Sequence, residues 1–388
     1  MIRQFRSFDR PSKLLMVNQF TINVGFYMLM PYLAGYLAGP LGLAGWAVGL
    51  VLGVRNFSQQ GMFLLGGSLA DRFGYKPLIV AGCLLRTAGF TLLGVVNSLP
   101  ALVIASAATG FAGALFNPAV RAYLAADADE RRLEAFALFN VFYQGGILLG
   151  PVIGLALTTV DFRVTCLVAA AVFAVLTVLQ IRALPNHVAD TERRTMLGDW
   201  RVVVANRPFL VFALVMVGSN VLSFQVYLAL PLRAGSQALV MALFVVSAVV
   251  AIAGQLRITS WFRDRFGPSR SIVIGAAVLT SAFLPPLFVP GNATLVVSAA
   301  LLALGTAVVF PFEMDTIVRL SGDRLVATHY GFYNTIVGVG IMLGNLFAGT
   351  VFDISPMSGW IGLVVIGCAC VAGLHVLQRS RALETASQ

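Results

Sequence analysis

Long apolar runs separated by short polar connections constrain the fold of this chain more than any other feature. A helix needs about 20 apolar residues to cross about 30 Å of hydrocarbon, and we count twelve such runs in 388 residues. Only 11% of the residues are charged, whereas a soluble domain carries roughly 25%. A single water-soluble core could not bury this much apolar surface. We therefore predict an all-α membrane protein with twelve transmembrane helices and no large soluble domain.

The twelve predicted spans form two sets of six, separated by the longest polar interval in the chain. This interval, residues 185–207, is predicted to be a cytoplasmic central loop between an N-terminal half (1–184) and a C-terminal half (208–388). The predicted spans are 14–37, 46–69, 78–97, 101–122, 135–158 and 163–184, followed by 208–232, 238–260, 271–290, 294–318, 327–351 and 358–378.

The basic residues predict the orientation. Of the 26 lysines and arginines, 21 fall in the connections on the side of the N-terminus, two fall on the opposite side and three lie within spans. Cytoplasmic loops are enriched in lysine and arginine, so we expect both termini in the cytoplasm. The basic segment Met1–Lys13 precedes a run too long for a signal-peptide core, and we interpret that run as a retained first span. Because the charge of +10 is spread over loops, we expect no nucleic-acid partner.

An internal repeat relates the two halves. Matching residues recur at one offset of 193, and a duplicated unit in parallel orientation is typical of transporters, with the substrate site between the halves. The matches are Asp71-Arg72-Phe73-Gly74 with Asp264-Arg265-Phe266-Gly267, Pro118 with Pro311, and Gly145 with Gly338.

The segment Gly67–Lys76 connects the second and third spans and resembles the signature loop of the major facilitator superfamily, with Tyr75 where an arginine is usual. This resemblance implies two pseudo-symmetric six-helix bundles. Glycines allow a tight turn and close approach, and an aspartate can pair with a helix N-terminus or a basic partner. Such a pair could latch one state of a rocking transporter. The gating candidates are Gly67, Asp71, Arg72, Gly74, Lys76, Asp264 and Arg265.

A second motif lies in the fifth span and resembles the antiporter motif of the drug:proton antiporter branch of that superfamily. Gly146, Gly150 and Gly154 are four residues apart and share a helix face, which allows close helix contact. Pro151 should kink the helix. The chain also departs from the family. Many proton-coupled members carry an arginine in the fourth span, whereas this chain has Ser106 in that place.

The overall pattern is most similar to the MdtH-like multidrug efflux proteins of the bacterial inner membrane. The residues that carry this similarity are Asn18, the segments 53–61 and 86–90, and 161–163 before the sixth span. It implies export of varied, drug-like or amphipathic small molecules by alternating access, coupled to proton entry, without fixing a substrate.

Ionisable residues within spans are costly and are functional candidates. Arg55 and Arg86 fall near the middle of the second and third spans, and the first half offers no clear intramembrane acid. We expect Arg55 to face the cavity and Arg86 to be structural. Glu313 and Asp315 in the tenth span are candidates for proton coupling. The alternative for Glu313 is a salt bridge with Arg121 or Arg319 at the cytoplasmic mouth.

Polar side chains on other spans suggest a largely apolar cavity for amphipathic ligands, although each could instead join two helices. Together with Arg55, the candidates for the cavity are Asn18, Asn23, Gln59, Tyr143, Gln144, Gln225 and Asn334.

Two other functions remain open at this point: a carrier of an anionic metabolite or lipid-like substrate bound by Arg55, and a transport-inactive sensor or scaffold. Enzyme chemistry has no support, because the three histidines are scattered and no nucleophile–base or metal-ligand spacing occurs. We expect a monomer whose partners are its substrate, protons and the lipid bilayer, and no cofactor or metal.

The signature loop generates a prediction. Asp71→Asn should reduce transport but leave membrane insertion and folding intact, because it removes the charge of the latch. Transport rates and expression of the variant check this. Wild-type transport by Asp71→Asn would contradict the latch.

Overall fold

The computed structural model describes residues 8–128, 132–185, 196–322 and 325–379, and these residues are helical apart from short connections. The first eight helices are α1 (Arg10–Tyr27), α2 (Met30–Ala38), α3 (Gly45–Asn56), α4 (Phe63–Phe73), α5 (Tyr75–Val95), α6 (Leu99–Ala128), α7 (Arg132–Thr158) and α8 (Phe162–Ala183). The others are α9 (Met196–Ala205), α10 (Arg207–Phe224), α11 (Ala229–Arg233), α12 (Gln237–Ser281), α13 (Leu284–Phe288), α14 (Asn292–Ser321), α15 (Val326–Ile354) and α16 (Pro356–Arg379).

The helices account for the predicted spans. Within the described residues, nine helical stretches are by themselves long and apolar enough to cross a membrane. The remaining predicted spans are the first, which breaks between α1 and α2; the second, where a π-helical turn (Phe57–Gly61) separates α3 from α4; and the eighth, the shorter apolar stretch Gln237–Ala253 of α12. The described helices therefore match the twelve spans predicted from the sequence.

The repeat seen in the sequence is also present in the backbone. Helices α6 and α14 each have 30 residues, their bounds differ by 193, and each contains an internal proline. Gly74 and Gly267, also 193 apart, both adopt a positive φ, of 86° and 72°. Only glycine adopts such a conformation without strain. In both places the glycine turns the chain from one span into the next.

The described chain folds as two compact units. Unit 1 comprises Met1–Tyr36 and Val54–Glu192, and unit 2 comprises Leu37–Gly53 and Arg193–Gln388. Most of α3 therefore packs in unit 2, although its continuation through the π-helical turn belongs to unit 1. The division of the sequence into halves 1–184 and 208–388 follows the order of the spans along the chain, and it stays a prediction.

Within unit 2, a carboxylate from α15 holds the start of α3. The backbone N–H groups of Gly45 and Trp46 donate to Oδ1 and Oδ2 of Asp353, at 2.6 and 2.8 Å. The first N–H groups of a helix have no partner within the helix, and negative charge is favourable at that end. Gly49 extends the contact, because a Cβ added there would lie 2.3 Å from the backbone oxygen of Asn345.

In unit 1, the glycine face of α7 packs directly on α1 and the connection that follows it. A Cβ added at Gly146 would lie 2.5 Å from the Cβ of Asn23, and one at Gly150 would lie 2.5 Å from the Cβ of Tyr27. At Gly154 the added Cβ would lie 2.1 Å from the backbone oxygen of Met28. These positions leave no room for a side chain.

This packing predicts the effect of a larger residue. Gly150→Leu should destabilise the protein by about 1–3 kcal/mol, as overpacking of a filled core does, and should abolish or uncouple transport. Thermal unfolding and proteoliposome transport measure the two effects. The matched control is Gly35→Leu, since Gly35 has nothing within 4 Å of an added Cβ. Unchanged stability and coupled transport in Gly150→Leu would contradict the prediction.

Candidate functional site

Unit 2 contains a buried carboxyl group held by neutral side chains. Glu313 of α14 is only 4% exposed. Its Oε1 accepts a hydrogen bond from Asn220 Nδ2 of α10 at 3.1 Å and a second, very short one from the hydroxyl of Tyr333 of α15. Asn220 Nδ2 also donates to that hydroxyl, at 3.1 Å. Three helices therefore converge on one titratable group, and its described partners carry no charge.

Asp315 is two residues away but has different surroundings. It forms an exposed ion pair with Arg319, in which Asp315 Oδ2 lies 3.1 Å from Nε and 54% of the aspartate side chain is exposed. The alternative of a salt bridge between Glu313 and Arg319 is therefore wrong, because Arg319 pairs with Asp315 and Glu313 is held by Asn220 and Tyr333. The side chain of Arg121, the other suggested partner, lies outside the described residues.

Unit 1 contains two buried guanidinium groups against one aromatic ring. Arg55 and Arg86 are 4% and 5% exposed, and their Cζ atoms lie 4.5 and 5.1 Å from the ring centroid of Phe26. Arg86 also lies 5.3 Å from the centroid of Phe173. A cation over an aromatic face is attracted by the ring quadrupole. These rings provide part of the compensation that the sequence could not identify.

The two arginines differ in their hydrogen bonds. Arg55 donates from Nη1 to Oδ1 of Asn56 and from Nη2 to Oε1 of Gln59, both at 2.7 Å. Arg86 Nε is buried and has no hydrogen-bond partner within the described chain. Gln59 lies in the π-helical turn that follows Arg55, and such turns are frequent at functional sites.

Helix α6 packs against both arginines through glycines that the sequence reasoning missed. A Cβ added at Gly110 would lie 2.1 Å from the backbone oxygen of Arg55. A Cβ added at Gly113 would lie 3.0 Å from Arg86 Nη2 and 3.2 Å from the side chain of Gln59. The spacing of Gly110 and Gly113 along the fourth span could have indicated a close helix contact. The sequence does not show which residues these glycines contact.

Several predicted cavity residues join helices within one unit. Asn23 donates to the backbone oxygen of Tyr143 at 2.8 Å and accepts from Gln19. Gln225 is fully buried and donates to Oδ1 of Asn345 at 3.2 Å. Asn334 donates to a carbonyl of its own helix. The contacts of Asn23 and Gln225 correspond to the alternative that such residues hold helices together, whereas that of Asn334 stays within α15.

Asn18 and Gln144 differ from that group. Asn18 is buried, and its Nδ2 has no hydrogen-bond partner among the described residues. Gln144 is half-buried. Both belong to unit 1, as do Arg55 and Gln59.

The gating candidates are described only in part. Gly67, Asp71 and Arg72 lie on α4, but their side chains are outside the described residues. In the second copy, Asp264 and Arg265 are exposed, and Arg265 lies 5.7 Å from the ring centroid of Trp261. Lys76 is half-buried and is the second residue of α5.

Comparison with known proteins agrees with this architecture. The family model of the Major Facilitator Superfamily matches residues 15–344 and 229–387. An uncharacterized MFS-type transporter of Mycobacterium tuberculosis H37Rv is 60% identical over 395 residues, covering 96% of this chain and 94% of that protein. The multidrug resistance protein MdtH of Yersinia enterocolitica is 28% identical over 396 residues, covering 100% and 98% of the two chains.

Solved structures show the same fold at low sequence identity. The nucleoside transporter NupG superposes with a TM-score of 0.84 at 15% identity, covering 95% of this chain and 100% of that one. A POT peptide transporter gives a TM-score of 0.80 at 16% identity, covering 97% and 95%. These relatives and neighbours are transporters rather than enzymes.

Proposed function

This chain belongs to the Major Facilitator Superfamily, and we propose that it exports amphipathic small molecules across the bacterial inner membrane by alternating access, in exchange for protons. Its full-length similarity to MdtH, which is named a multidrug resistance protein, supports this direction and substrate range. The asymmetry of basic residues supports cytoplasmic termini. The protein then works as a monomer, with each internally related half supplying part of the pathway.

The observation that carries proton coupling is the burial of Glu313 among neutral partners. A carboxyl group held by Asn220 and Tyr333 can gain or lose a proton without breaking an ion pair. Because Glu313 is buried, the electrostatic effect of this change in charge is poorly screened. Protonation can therefore shift the balance between conformations of the surrounding helices. Asp315 is unsuited to this task, since it is exposed and already paired with Arg319.

A second candidate function is a carrier of an anionic metabolite or lipid-like molecule. It is favoured by Arg55 and Arg86, which place two buried positive charges in unit 1. A carrier of hydrophobic cations would have an acid in this position. Both candidate functions therefore share a preference for neutral, zwitterionic or anionic substrates.

The coupling proposal predicts a change in pH dependence. In proteoliposomes with an imposed pH gradient, Glu313→Gln should flatten the pH profile of export, because the amide cannot exchange a proton. Asp315→Asn is the matched control and should keep the profile of the wild type. A profile that is unchanged in Glu313→Gln would exclude Glu313, and an unchanged profile in both variants would remove α14 from the proton path.

The charge of the substrate provides a separate prediction. Export of a permanent organic cation should be weak compared with that of a neutral amphipathic dye of similar size. The reason is that the buried positive charge of Arg55 repels a cationic substrate. Competition and direct efflux assays with the two dyes measure this. Strong cation export that survives Arg55→Ala would contradict the proposed substrate class.

A further inference from the structure

Arg86 is a buried cation of unit 1 whose hydrogen-bonding capacity is left open among the described residues. A guanidinium group has five N–H donors in a planar fork and is always charged. Arg86 is 5% exposed, and its Nε has no hydrogen-bond partner among the described residues. Its guanidinium group lies against the rings of Phe26 and Phe173. An aromatic ring offsets charge but accepts no strong hydrogen bond. The donors of Arg86 therefore call for an acceptor.

Arg55 makes this requirement stronger. Both guanidinium groups lie within about 5 Å of the centroid of Phe26, at 4.5 and 5.1 Å, so two like charges share one apolar neighbourhood. Coulomb repulsion between them is poorly screened there. Arg55 directs Nη1 and Nη2 to the amides of Asn56 and Gln59, whereas no carboxylate contacts Arg86 in the part of unit 1 that the structure describes. An anion would relieve both the repulsion and the open donors.

Helix α6 packs against the terminal nitrogen of Arg86 at a glycine. Gly113 faces Nη2 of Arg86 and the side chain of Gln59, and an added Cβ would lie 3.0 and 3.2 Å from them. Such distances are closer than ordinary van der Waals contact, so alanine at this position would crowd the nitrogen. The glycine thus provides the space that Nη2 occupies next to the amide of Gln59, which can donate from its nitrogen.

We propose that Arg86 binds the carboxylate of an amphipathic monocarboxylate, in a site formed with Gln59 and Gly113 and enclosed by Phe26 and Phe173. A planar carboxylate matches the guanidinium fork, and the phenylalanine rings exclude water, which suits an apolar acid better than a strongly hydrated dianion such as phosphate. This inference rests on the proposed function and deepens it by naming the substrate class. It also reverses the expected roles, in which Arg55 faced the ligand and Arg86 was structural.

Equilibrium binding to the purified full-length protein in lipid nanodiscs tests the site without requiring transport. Radiolabelled benzoate serves as the probe in a methanesulfonate buffer free of other carboxylates and halides. We expect saturable binding that octanoate displaces and the neutral isostere benzamide does not. Arg86→Gln should weaken binding at least tenfold, and Gly113→Ala should weaken it several-fold by crowding Nη2.

Arg182→Gln is the matched control, because it removes an exposed arginine from the same unit and should leave benzoate affinity unchanged. Size-exclusion profiles establish that each variant is folded. If Arg86→Gln fails to fold, Gly113→Ala and Arg86→Lys, which keeps the charge but loses the fork, provide the test. The inference is overturned by absence of saturable benzoate binding, by full affinity in Arg86→Gln or Gly113→Ala, or by phosphate or benzamide displacing benzoate more effectively than octanoate does.

A parallel transport assay separates this inference from the proposed function. Proteoliposomes under a pH gradient are tested for export of the neutral dye N-phenyl-1-naphthylamine. Dye export without benzoate binding would overturn the carboxylate site and leave proton-coupled export standing. Benzoate binding that depends on Arg86, without export of dye or benzoate, would support the site and contradict the proposed function.

Discussion

Backbone contact at glycine is the interaction on which each unit of this protein depends. Lipid tails are as apolar as the helix surfaces, so helices associate in a bilayer through close packing and interhelical hydrogen bonds rather than through the hydrophobic effect. The contacts are correspondingly short: a Cβ added at Gly66 would lie 1.9 Å from the backbone oxygen of Ala114, and one at Gly154 would lie 2.1 Å from that of Met28. Such contacts fix both the separation and the rotation of neighbouring helices. Where a glycine contact lies beside a buried polar group, as at Gly113 and Arg86, it also sets the position of that group.

The arginines of unit 1 illustrate this dependence. Helix α6 approaches the backbone of Arg55 at Gly110 and the side chain of Arg86 at Gly113, one turn further along. The same helix carries Ser106 where many proton-coupled relatives are expected to have an arginine, and the Ser106 hydroxyl is buried without a hydrogen-bond partner among the described residues. The positive charges that lie beside the fourth span are instead those of Arg55 in the second span and Arg86 in the third. A glycine face thus allows the charge to be supplied by adjacent helices, because it leaves space for long side chains to reach across.

Sequence alone predicted the elements that local chemistry determines. Apolar runs gave the helices, and the repeat at 193 residues anticipated the matching bounds of α6 and α14 and the shared backbone conformation of Gly74 and Gly267. It could not predict partners that only tertiary packing creates, such as Phe26 against both arginines or Asn220 and Tyr333 against Glu313. The break after Tyr27 and the π-helical turn at 57–61 were missed as well, because Pro31 and the polar run Ser58-Gln59-Gln60 were placed inside continuous spans.

The separation of charge between the units constrains how exchange could be coupled. Unit 1 holds buried cations, and unit 2 holds the buried acid Glu313 among neutral partners. Direct electrostatic coupling between a proton on Glu313 and a carboxylate at Arg86 would favour loading both together, because an ionised Glu313 repels an anion. Exchange requires the opposite sign of coupling. If the protein exchanges protons for carboxylates, the two ligands must therefore compete through conformation, each binding more tightly to the state that the other disfavours. The glycine contacts and the positive-φ turns, which set how neighbouring helices pack within each unit, are the elements of this fold through which such competition can act.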